Sequence, residues 1–179
     1  MHPKRLSAAR SVFLQPGQPI VYGIENALPR GKSTVFRAGA IAAVRSRTEG
    51  EVVLAKGVEK KLKPLVVTVL DARGCVKISA AQDGTSLLRS EIAHGKAYGA
   101  LAMGMGSRAL FQRAQEQAYF IGAVNTLAQG RMVPVPGGVL IQDGGVMLGA
   151  VGVSGDTSDN DEICAVAGIE AAGLKANAG

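Results

Sequence analysis

The sequence predicts an α+β domain built on an antiparallel sheet. The main evidence is that its apolar segments occur in pairs separated by tight turns. The runs come two by two around tight turns, first "LVVTVL" and "CVKIS" around "DARG", then "VLIQ" and "GVML" around Asp143-Gly144. Segments of helical pattern lie before, between and after these pairs. The order helix, hairpin, helices, hairpin, helix keeps the strands of each hairpin adjacent, whereas a parallel α/β sheet would alternate strands with helices.

The elements follow in order along the chain. Helical pattern begins in "AGAIAAVRS" and resumes in "EGEVVLAKGVEKKL", where Pro64 ends it. Gly74 is expected at the corner of the first hairpin. The next helix is expected to be entered through Thr85 or Ser86, with Asp83 as a cap, and "SRALFQRAQEQAYFIGAVNTLAQG" supplies further helix up to its final glycine.

The last helix shows a start signal of its own. Ser158 and Asp161 have the spacing of a capping box, and acidic residues fill the first turn, where the helix dipole favours them. The segment "SGDTSDNDEICAVAGIEAAGL" is therefore predicted to turn from the sheet into a closing helix.

Glycine is concentrated in the apolar stretch "GGVLIQDGGVMLGAVGVSG", residues 137–155. The stretch contains neither Lys nor Arg and lacks the G-x-G-x-x-G spacing, which argues against a phosphate-binding loop. Asp-Gly between apolar runs is instead a strong hairpin signal. Gly149 and Gly152 are expected where a helix, a ligand or another backbone approaches closely. Gly137 and Gly138 are expected to leave open space at a site.

Composition indicates one globular domain. The chain has 179 residues, 47% hydrophobic and 19% charged, and no run approaches the roughly 20 apolar residues of a membrane span. No sustained apolar segment precedes Pro16, which predicts a cytoplasmic protein without a secretory signal. Cys75 and Cys164 have neither disulfide-scaffold nor metal-ligand spacing, so free thiols and no metal site are expected.

Charge is unevenly distributed. Residues 1–63 carry 12 Lys or Arg against 4 Asp or Glu, and residues 64–179 carry 8 against 10. A nucleic-acid-binding arm would show such asymmetry, but the basic residues are scattered and no nucleic-acid motif is present. The segment "SVFLQPGQPIVYGIENAL" is also too apolar for a solvated tail. We predict an extended arm over residues 1–45, exchanged between subunits of a homo-oligomer, and a domain over residues 46–179.

Four segments resemble the GlcG/HbpS-like haem-degrading-domain family, which includes the C-terminal domain of PduO-type corrinoid adenosyltransferases. They are "VVTVLDARGCVKIS", "DGTSLLRSEIAHGKAYGA", "RMVPVPGGVLIQDGGVMLGAVGVSG" and "DNDEICAVAGIEA". The motifs A-x-x-K-A, PGG, GAVGVSG and D-E-x-x-A occur in the family's order. The resemblance covers roughly residues 50–175 and leaves the N-terminal region unexplained.

The resemblance implies a profilin-like sandwich, an antiparallel sheet flanked by helices, that assembles as dimers or larger oligomers. Members have been associated with haem, and others lie in catabolic operons without a settled activity. The family therefore indicates the fold more firmly than the function.

Lys96 is the first candidate site residue. It matches the lysine of A-x-x-K-A and falls on an apolar helical stripe with Leu88, Ile92, Gly99 and Met103. A lysine there either packs its stem and leaves its charge in solvent, or binds an anionic group in a pocket. Ser154, Asp161 and Glu162 match the family's terminal motif, and they either close the turn from the sheet to the last helix or offer oxygens to a site, for which Ser154 is the candidate.

Three functions fit these residues. A haem- or tetrapyrrole-binding protein would use Lys96 and the amides of Gly137 and Gly138 for propionates, with His94 as axial ligand and Cys75 or Tyr119 as weaker alternatives. A cofactor-independent lyase or hydrolase of a catabolic pathway would anchor a small aromatic or carboxylate substrate on Lys96, with Glu91 or Asp83 as acid or base. The third is an assembly role without a ligand.

Overall fold

The computed structural model describes residues 20–21 and 34–179, with side chains from residue 46 onward. The elements in chain order are β1 Ile20–Val21, α1 Thr34–Glu59, β2 Val66–Asp71, β3 Val76–Ala81, α2 Arg89–Met103, α3 Ser107–Glu116, α4 Ala118–Leu127, β4 Gly138–Asp143, β5 Val146–Ser154, α5 Ser158–Ala171 and β6 Lys175–Asn177.

The strands form one antiparallel sheet in the order β1-β3-β2-β5-β4-β6. Each predicted hairpin supplies a pair of neighbours, β2 with β3 and β4 with β5, and β2 joins the hairpins by pairing with β5 from Val66↔Ser154 to Asp71↔Gly149. The predicted α+β fold, an antiparallel sheet flanked by helices, is therefore confirmed.

Alternation along the central strands separates two apolar layers. Val67, Val69, Val151 and Val153 face a cluster that includes residues of α1 and α5. Leu70 and Ala150, next to these valines along the strands, point to the opposite side of the sheet and face the alanines of α2. Helices α1 and α5 therefore pack together on one face, and α2 covers β2, β4 and β5 on the other.

The first tight turn lies where the sequence predicts it, and the second lies one residue later than predicted, at Gly144 and Gly145 rather than at Asp143 and Gly144. Gly74 has φ 79° between β2 and β3, and Gly144 and Gly145 have φ 54° and 83° between β4 and β5. Two consecutive residues of positive φ are what the type I′ hairpin turn requires. Asp71 supports the first turn by accepting hydrogen bonds from the amides of Arg73 and Cys75.

The helices differ from the prediction in their bounds. Helix α1 is continuous where two segments are predicted, and it crosses the predicted boundary between arm and domain at residues 45 and 46. Helix α2 begins at Arg89 without a side-chain cap, so the predicted entry through Thr85 or Ser86 with Asp83 as cap is wrong. Residues 1–19 and 22–33 of the predicted arm lie outside the described residues.

The predicted capping box of α5 is also wrong, by one residue. Thr157 is the N-cap, and its hydroxyl accepts from the Asn160 amide. Asp161 is therefore released from the cap, and its carboxylate is buried in the interior. The acidic first turn remains, with Asp159 and Asp161.

Glycines in the sheet let α2 approach the strands closely. A Cβ on Gly152 would overlap the Ala93 carbonyl of α2, and a Cβ on Gly149 would overlap the Leu70 carbonyl of β2, as the sequence predicts. The expectation of open space fails at Gly138, where a Cβ would overlap the Lys96 carbonyl. The helix backbone fills the space that we assigned to a site.

Among the described residues, no helix combines the length and the apolar character that crossing a bilayer demands.

We expect Gly138→Ala to destabilise the fold by about 1–3 kcal/mol, because the added methyl group meets helix backbone that cannot rotate away. Urea denaturation followed by circular dichroism measures the change. The control is Gly50→Ala in α1, whose Cβ would meet the end of the Ile78 side chain at 3.3 Å. Because that side chain can shift, Gly50→Ala should lower the free energy of unfolding by less than about 1 kcal/mol. Equal effects of the two substitutions would contradict close packing at Gly138.

Candidate functional site

Helix α2 directs the candidate residues to two separate places. Lys96 points inward and is 2% exposed. His94 and Glu91 lie on the outer side, where they line an open cavity. Helical periodicity already sets His94 and Glu91 on a different face from Lys96, and the structure keeps these faces apart, so the hypotheses that combine Lys96 with His94 or with Glu91 in one pocket are not supported.

The inward site is a buried ion pair. Lys96 Nζ lies 2.8 Å from Asp161 Oδ2, and the two side chains are 2% and 1% exposed. The other carboxylate oxygen, Asp161 Oδ1, accepts from the Asp156 amide at 3.1 Å. Gly137 packs over the pair, since a Cβ there would lie 2.9 Å from Lys96 Nζ. The pair joins α2 to the first turn of α5.

Burial opposes the charges of this pair. It lowers the pKa of Lys96 and raises the pKa of Asp161, while the attraction between the two charges acts against both shifts. A buried ion pair is compensated only while both partners are present, because either one alone is a desolvated charge.

Polar contacts continue around the pair. Arg89 donates to Ser154 Oγ at 3.2 Å, and Ser154 is fully buried. The Gly138 amide donates to Ser107 Oγ at 2.6 Å, so it is already engaged within the chain. Gly137, Gly138 and Ser154 therefore belong to the surroundings of the buried pair.

This arrangement changes the interpretation of Lys96. The alternative in which its charge reaches solvent is wrong, because the ammonium is buried against a carboxylate of the same chain. Anion binding by Lys96 stays a prediction that requires the pair to open. Sequence periodicity identified the unusual lysine but not its partner, which lies 65 residues further along the chain.

The outer site is a cavity of about 420 Å³ lined by Ser90, Glu91, His94, Gly130 and Arg131. The first three residues come from α2, and the last two come from the loop after α4. His94 is the only histidine among the residues whose side chains are described. An imidazole, a carboxylate and a guanidinium thus line one open cavity.

Arg131 is held in place by its neighbours. Its Nε donates to the Ala128 carbonyl at 3.1 Å, and a terminal nitrogen donates to the Tyr98 hydroxyl at 2.8 Å. Its guanidinium carbon lies 4.3 Å from the centroid of the Tyr98 ring, a cation–π contact. The cationic group is therefore positioned before any ligand arrives.

The loop that carries Arg131 is closed at its base. Asn125 bonds to both backbone groups of Met132, accepting from the amide at 3.0 Å and donating to the carbonyl at 3.2 Å. Gln129 and Gly130 have positive φ values of 57° and 74°, which turn the chain back on itself. The Val133 amide then donates to the Gly95 carbonyl at 3.1 Å and fixes the loop to α2.

His94 stacks on Tyr98, with ring centroids 6.1 Å apart and planes inclined by 15°. Partial burial, and then the positive charge of Arg131, lower the pKa of His94 below its ordinary value. The imidazole is therefore neutral at pH 7, with a lone pair available to a metal or a proton.

The remaining candidates lie elsewhere. Asp83 is exposed in the turn before α2, Cys75 is exposed in the β2–β3 turn, and Tyr119 is exposed on α4. None of them lines the cavity with His94. Sequence reasoning missed Arg131 because it lies in a loop, where no periodicity marks a face. The available signal was a single cation directly after Gly130, the glycine at which the sequence predicts the helix to end.

We expect Lys96→Met to destabilise the fold by about 3–5 kcal/mol, because it leaves the Asp161 carboxylate buried without its cation. Without the lysine, burial raises the pKa of Asp161 further, because only the Asp156 amide and the charge of Arg89 remain to oppose it. A raised folded-state pKa stabilises at low pH and loses that contribution as pH rises through it, so the deficit should be larger at pH 8 than at pH 5. Urea denaturation at both pH values measures this.

The compensating variant is Lys96→Met with Asp161→Asn, which removes the second charge and keeps the acceptor for the Asp156 amide. It should recover more than half of the lost stability. A double variant no more stable than Lys96→Met would contradict the coupling.

Comparison with known proteins gives a consistent relationship. Residues 47–170 match the family model described as "Haem degrading protein HbpS-like". The corrinoid adenosyltransferase PduO of Salmonella typhimurium is 32% identical over 98 residues, which cover 55% of this chain and 29% of that protein. The chain thus spans less than a third of that relative's length.

Two solved structures share the fold. The structure titled "Crystal Structure of PduOC:Heme Complex" superposes with a TM-score of 0.67 at 24% identity, covering 73% of this chain and 94% of that one. The structure of HbpS superposes with a TM-score of 0.63 at 18% identity, covering 83% and 95%. With the family match over residues 47–170, these likenesses show that the chain belongs to the HbpS-like family, which is related to the C-terminal domain of PduO.

Proposed function

We propose that the protein binds haem or a related tetrapyrrole in the outer cavity and acts in haem handling. The observation that carries the proposal is that His94 and Arg131 line the same open cavity of about 420 Å³. Histidine is a common ligand of haem iron, and a cation beside it can pair with a propionate.

His94 would be the residue that holds the haem iron. Coordination uses a neutral imidazole, and the lowered pKa of His94 keeps the ring neutral at pH 7. The stack on Tyr98 limits the rotation of the ring. Haem bound here would supply an iron centre capable of redox and oxygen chemistry.

Arg131 replaces Lys96 as the proposed partner of a propionate. It forms no ion pair with any side chain from residue 46 onward, and its position is fixed through Tyr98 and Ala128. A guanidinium can bind a carboxylate with two parallel hydrogen bonds. The proposed ligand contacts therefore come from the cavity rather than from the buried pair.

Apolar side chains near the cavity suit the porphyrin ring. Leu87 and Leu88 directly precede α2 and are 88% and 63% exposed. They lie within one helical turn of the cavity residues Ser90 and Glu91. A tetrapyrrole that extends from the cavity toward these leucines would cover apolar surface that now faces solvent.

The relatives support haem as the ligand. The family is described as haem-degrading, and the solved PduOC structure is a haem complex. These descriptions concern other proteins, so the proposal rests on them only together with the cavity.

A second candidate function is supported by Glu91. This carboxylate lines the cavity beside His94, three residues away on the helix, and Arg131 completes the lining. A cofactor-independent lyase or hydrolase could use His94 and Glu91 as acid and base, with Arg131 as anchor for a small carboxylate substrate. Lys96 and Asp83, which the sequence suggested for these roles, do not line the cavity.

The proposal includes the arm and the compartment. We keep the division at residues 45 and 46 and the exchange of the arm within a homo-oligomer as proposals, supported by the apolar and basic sequence of that segment.

A cytoplasmic location is also part of the proposal. Cys75 and Cys164 are free thiols, which suits a reducing cytoplasm.

We expect hemin to bind saturably and to shift its Soret band on titration with the purified protein. His94→Gly should abolish the shift, and added imidazole should restore it by occupying the vacated ligand position. Arg131→Ala should weaken affinity by about tenfold through loss of one charged hydrogen bond. The matched control is Arg73→Ala, an exposed arginine in the β2–β3 turn, which should bind like the wild type.

A protein whose spectrum is indifferent to hemin would remove this function and leave the enzymatic candidate. A Soret shift that survives His94→Gly without imidazole would move the site away from the cavity.

We expect hemin affinity to be constant between pH 8 and pH 7. It should decrease once the pH is below about 6.5, the ordinary pKa of histidine, because protonated imidazole cannot coordinate iron. Since the charge of Arg131 helps to lower the pKa of His94, Arg131→Met should move the midpoint of this loss to higher pH. Soret titrations across the range measure both midpoints, with Arg73→Met as control. An identical midpoint in the wild type and Arg131→Met would contradict the electrostatic link.

A further inference from the structure

Tyr98 contacts two cavity residues that belong to different elements. His94 precedes it by one turn of α2, and the two rings stack with centroids 6.1 Å apart. Arg131 comes from the loop after α4, and its guanidinium carbon lies 4.3 Å from the centroid of the same tyrosine ring. A terminal nitrogen of Arg131 also donates to the Tyr98 hydroxyl at 2.8 Å. One side chain therefore meets both of the residues that we propose as ligand contacts.

The core fixes Tyr98 in turn. Its side chain packs against the apolar cluster between α2 and the sheet, which includes Leu70 and Leu140, each 1% exposed. Because a close-packed core restricts the side chains that rest on it, the sheet determines where the Tyr98 ring lies. Tyr98 is not among the residues that line the outer cavity. Any effect of Tyr98 on a ligand therefore passes through His94 and Arg131.

Gly95 brings the loop within reach of Tyr98. A Cβ at this position would lie 2.9 Å from the Arg131 carbonyl oxygen and 2.6 Å from the Val133 side chain. A larger residue would hold the loop away from α2, whereas glycine allows the two backbones to approach closely. The Val133 amide then donates to the Gly95 carbonyl and keeps the loop there. This close approach places Arg131 where its side chain reaches the tyrosine ring.

An exposed arginine needs such contacts to keep one position. Arg131 is exposed, and its long side chain loses rotamer entropy whenever it is fixed. The hydrogen bond from its Nε to the Ala128 carbonyl restrains the inner part of the guanidinium. The hydroxyl and ring of Tyr98 restrain the outer part. A cation that is already fixed loses less entropy when a carboxylate binds, so affinity is higher.

We propose that Tyr98 is the positioning residue of the outer cavity, which holds the Arg131 guanidinium and the His94 imidazole in the orientations in which they meet one ligand. The inference rests on the proposed ligand contacts of these two residues and adds a third residue, outside the cavity lining, on which both depend. Its hydroxyl acts on Arg131 alone, whereas its ring acts on both partners. Removing the hydroxyl should therefore loosen Arg131 and leave His94 stacked.

NMR of the ligand-free protein tests the positioning without haem. The ¹⁵N order parameter of the Arg131 Nε–H should be high in the wild type and lower in Tyr98→Phe, which keeps the ring but lacks the hydroxyl. Tyr98→Leu should lower it further. It should also raise the His94 titration midpoint, because partial burial and the charge of Arg131, which lower that pKa, are both weakened. Glu91, the other charged group of the lining, is unchanged in these variants.

The matched control is Tyr119→Phe, the same change at a tyrosine that is 82% exposed on α4. It should leave the Arg131 order parameter and the His94 midpoint as they are in the wild type. Circular dichroism should show unchanged folding in all variants.

Hemin titration measures the consequence for the proposed ligand. Tyr98→Phe should keep the Soret shift and weaken hemin affinity by up to about tenfold, the loss expected of Arg131→Ala. Because the hydroxyl acts through Arg131, Tyr98→Phe combined with Arg131→Ala should bind no more weakly than Arg131→Ala alone. Tyr98→Leu should bind more weakly than either single variant, since it also releases His94.

An Arg131 order parameter that is the same in the wild type, Tyr98→Phe and Tyr98→Leu would overturn the positioning role. Fully additive losses of hemin affinity in the double variant would overturn it too. A wild type that does not bind hemin would remove haem binding alone, because the NMR comparison still decides whether Tyr98 positions Arg131 and His94.

Discussion

The close approach of α2 to the sheet is the constraint on which the rest of the structure depends. The helix backbone lies directly on β4 and β5, and its contact positions are small: Ala93, Ala97 and Ala100. Gly138 and Gly152 on the strands remove the side chains that would hold the helix away. At such a distance the long side chain of Lys96 has no route to solvent, so its charge is compensated inside the protein by Asp161.

The neutralisation of Lys96 by Asp161 explains the contacts found between the end of β5 and the start of α5. Asp161 both neutralises Lys96 and accepts from the Asp156 amide, which fixes the turn between β5 and α5. Thr157 supplies the N-cap, so Asp161 is not needed for capping and can pair with Lys96. Gly137 can lie over the pair at φ 114° because it has no side chain. The family-like motifs around PGG and D-E-x-x-A thus meet at a single point in space.

Local patterns predicted the fold well, and long-range contacts limited what could be predicted of the site. The hairpins followed from turn residues within a few positions of their strands, as Gly74 and Gly144 show. Lys96 was recognisable because a charge on an apolar stripe is anomalous. Its partner could not be inferred, since Asp161 also satisfied a plausible capping pattern. Arg131 and Tyr98 meet only through a loop, and nothing in their spacing of 33 residues records that contact.

The two hydrogen bonds between the Asn125 side chain and the Met132 backbone separate one wall of the outer cavity from the packing that stabilises the domain. Both backbone groups of Met132 are bonded to the Asn125 side chain, so the last residues of α4 and the loop that follows them have their two ends fixed to each other. Because both ends are held by Asn125, we expect changes of sequence within the loop to alter one wall of the cavity with little effect on the sheet or the buried pair. Such a loop can diversify among paralogues at little cost to folding, and in the laboratory it can be exchanged as a cassette to select new ligands on an unchanged scaffold.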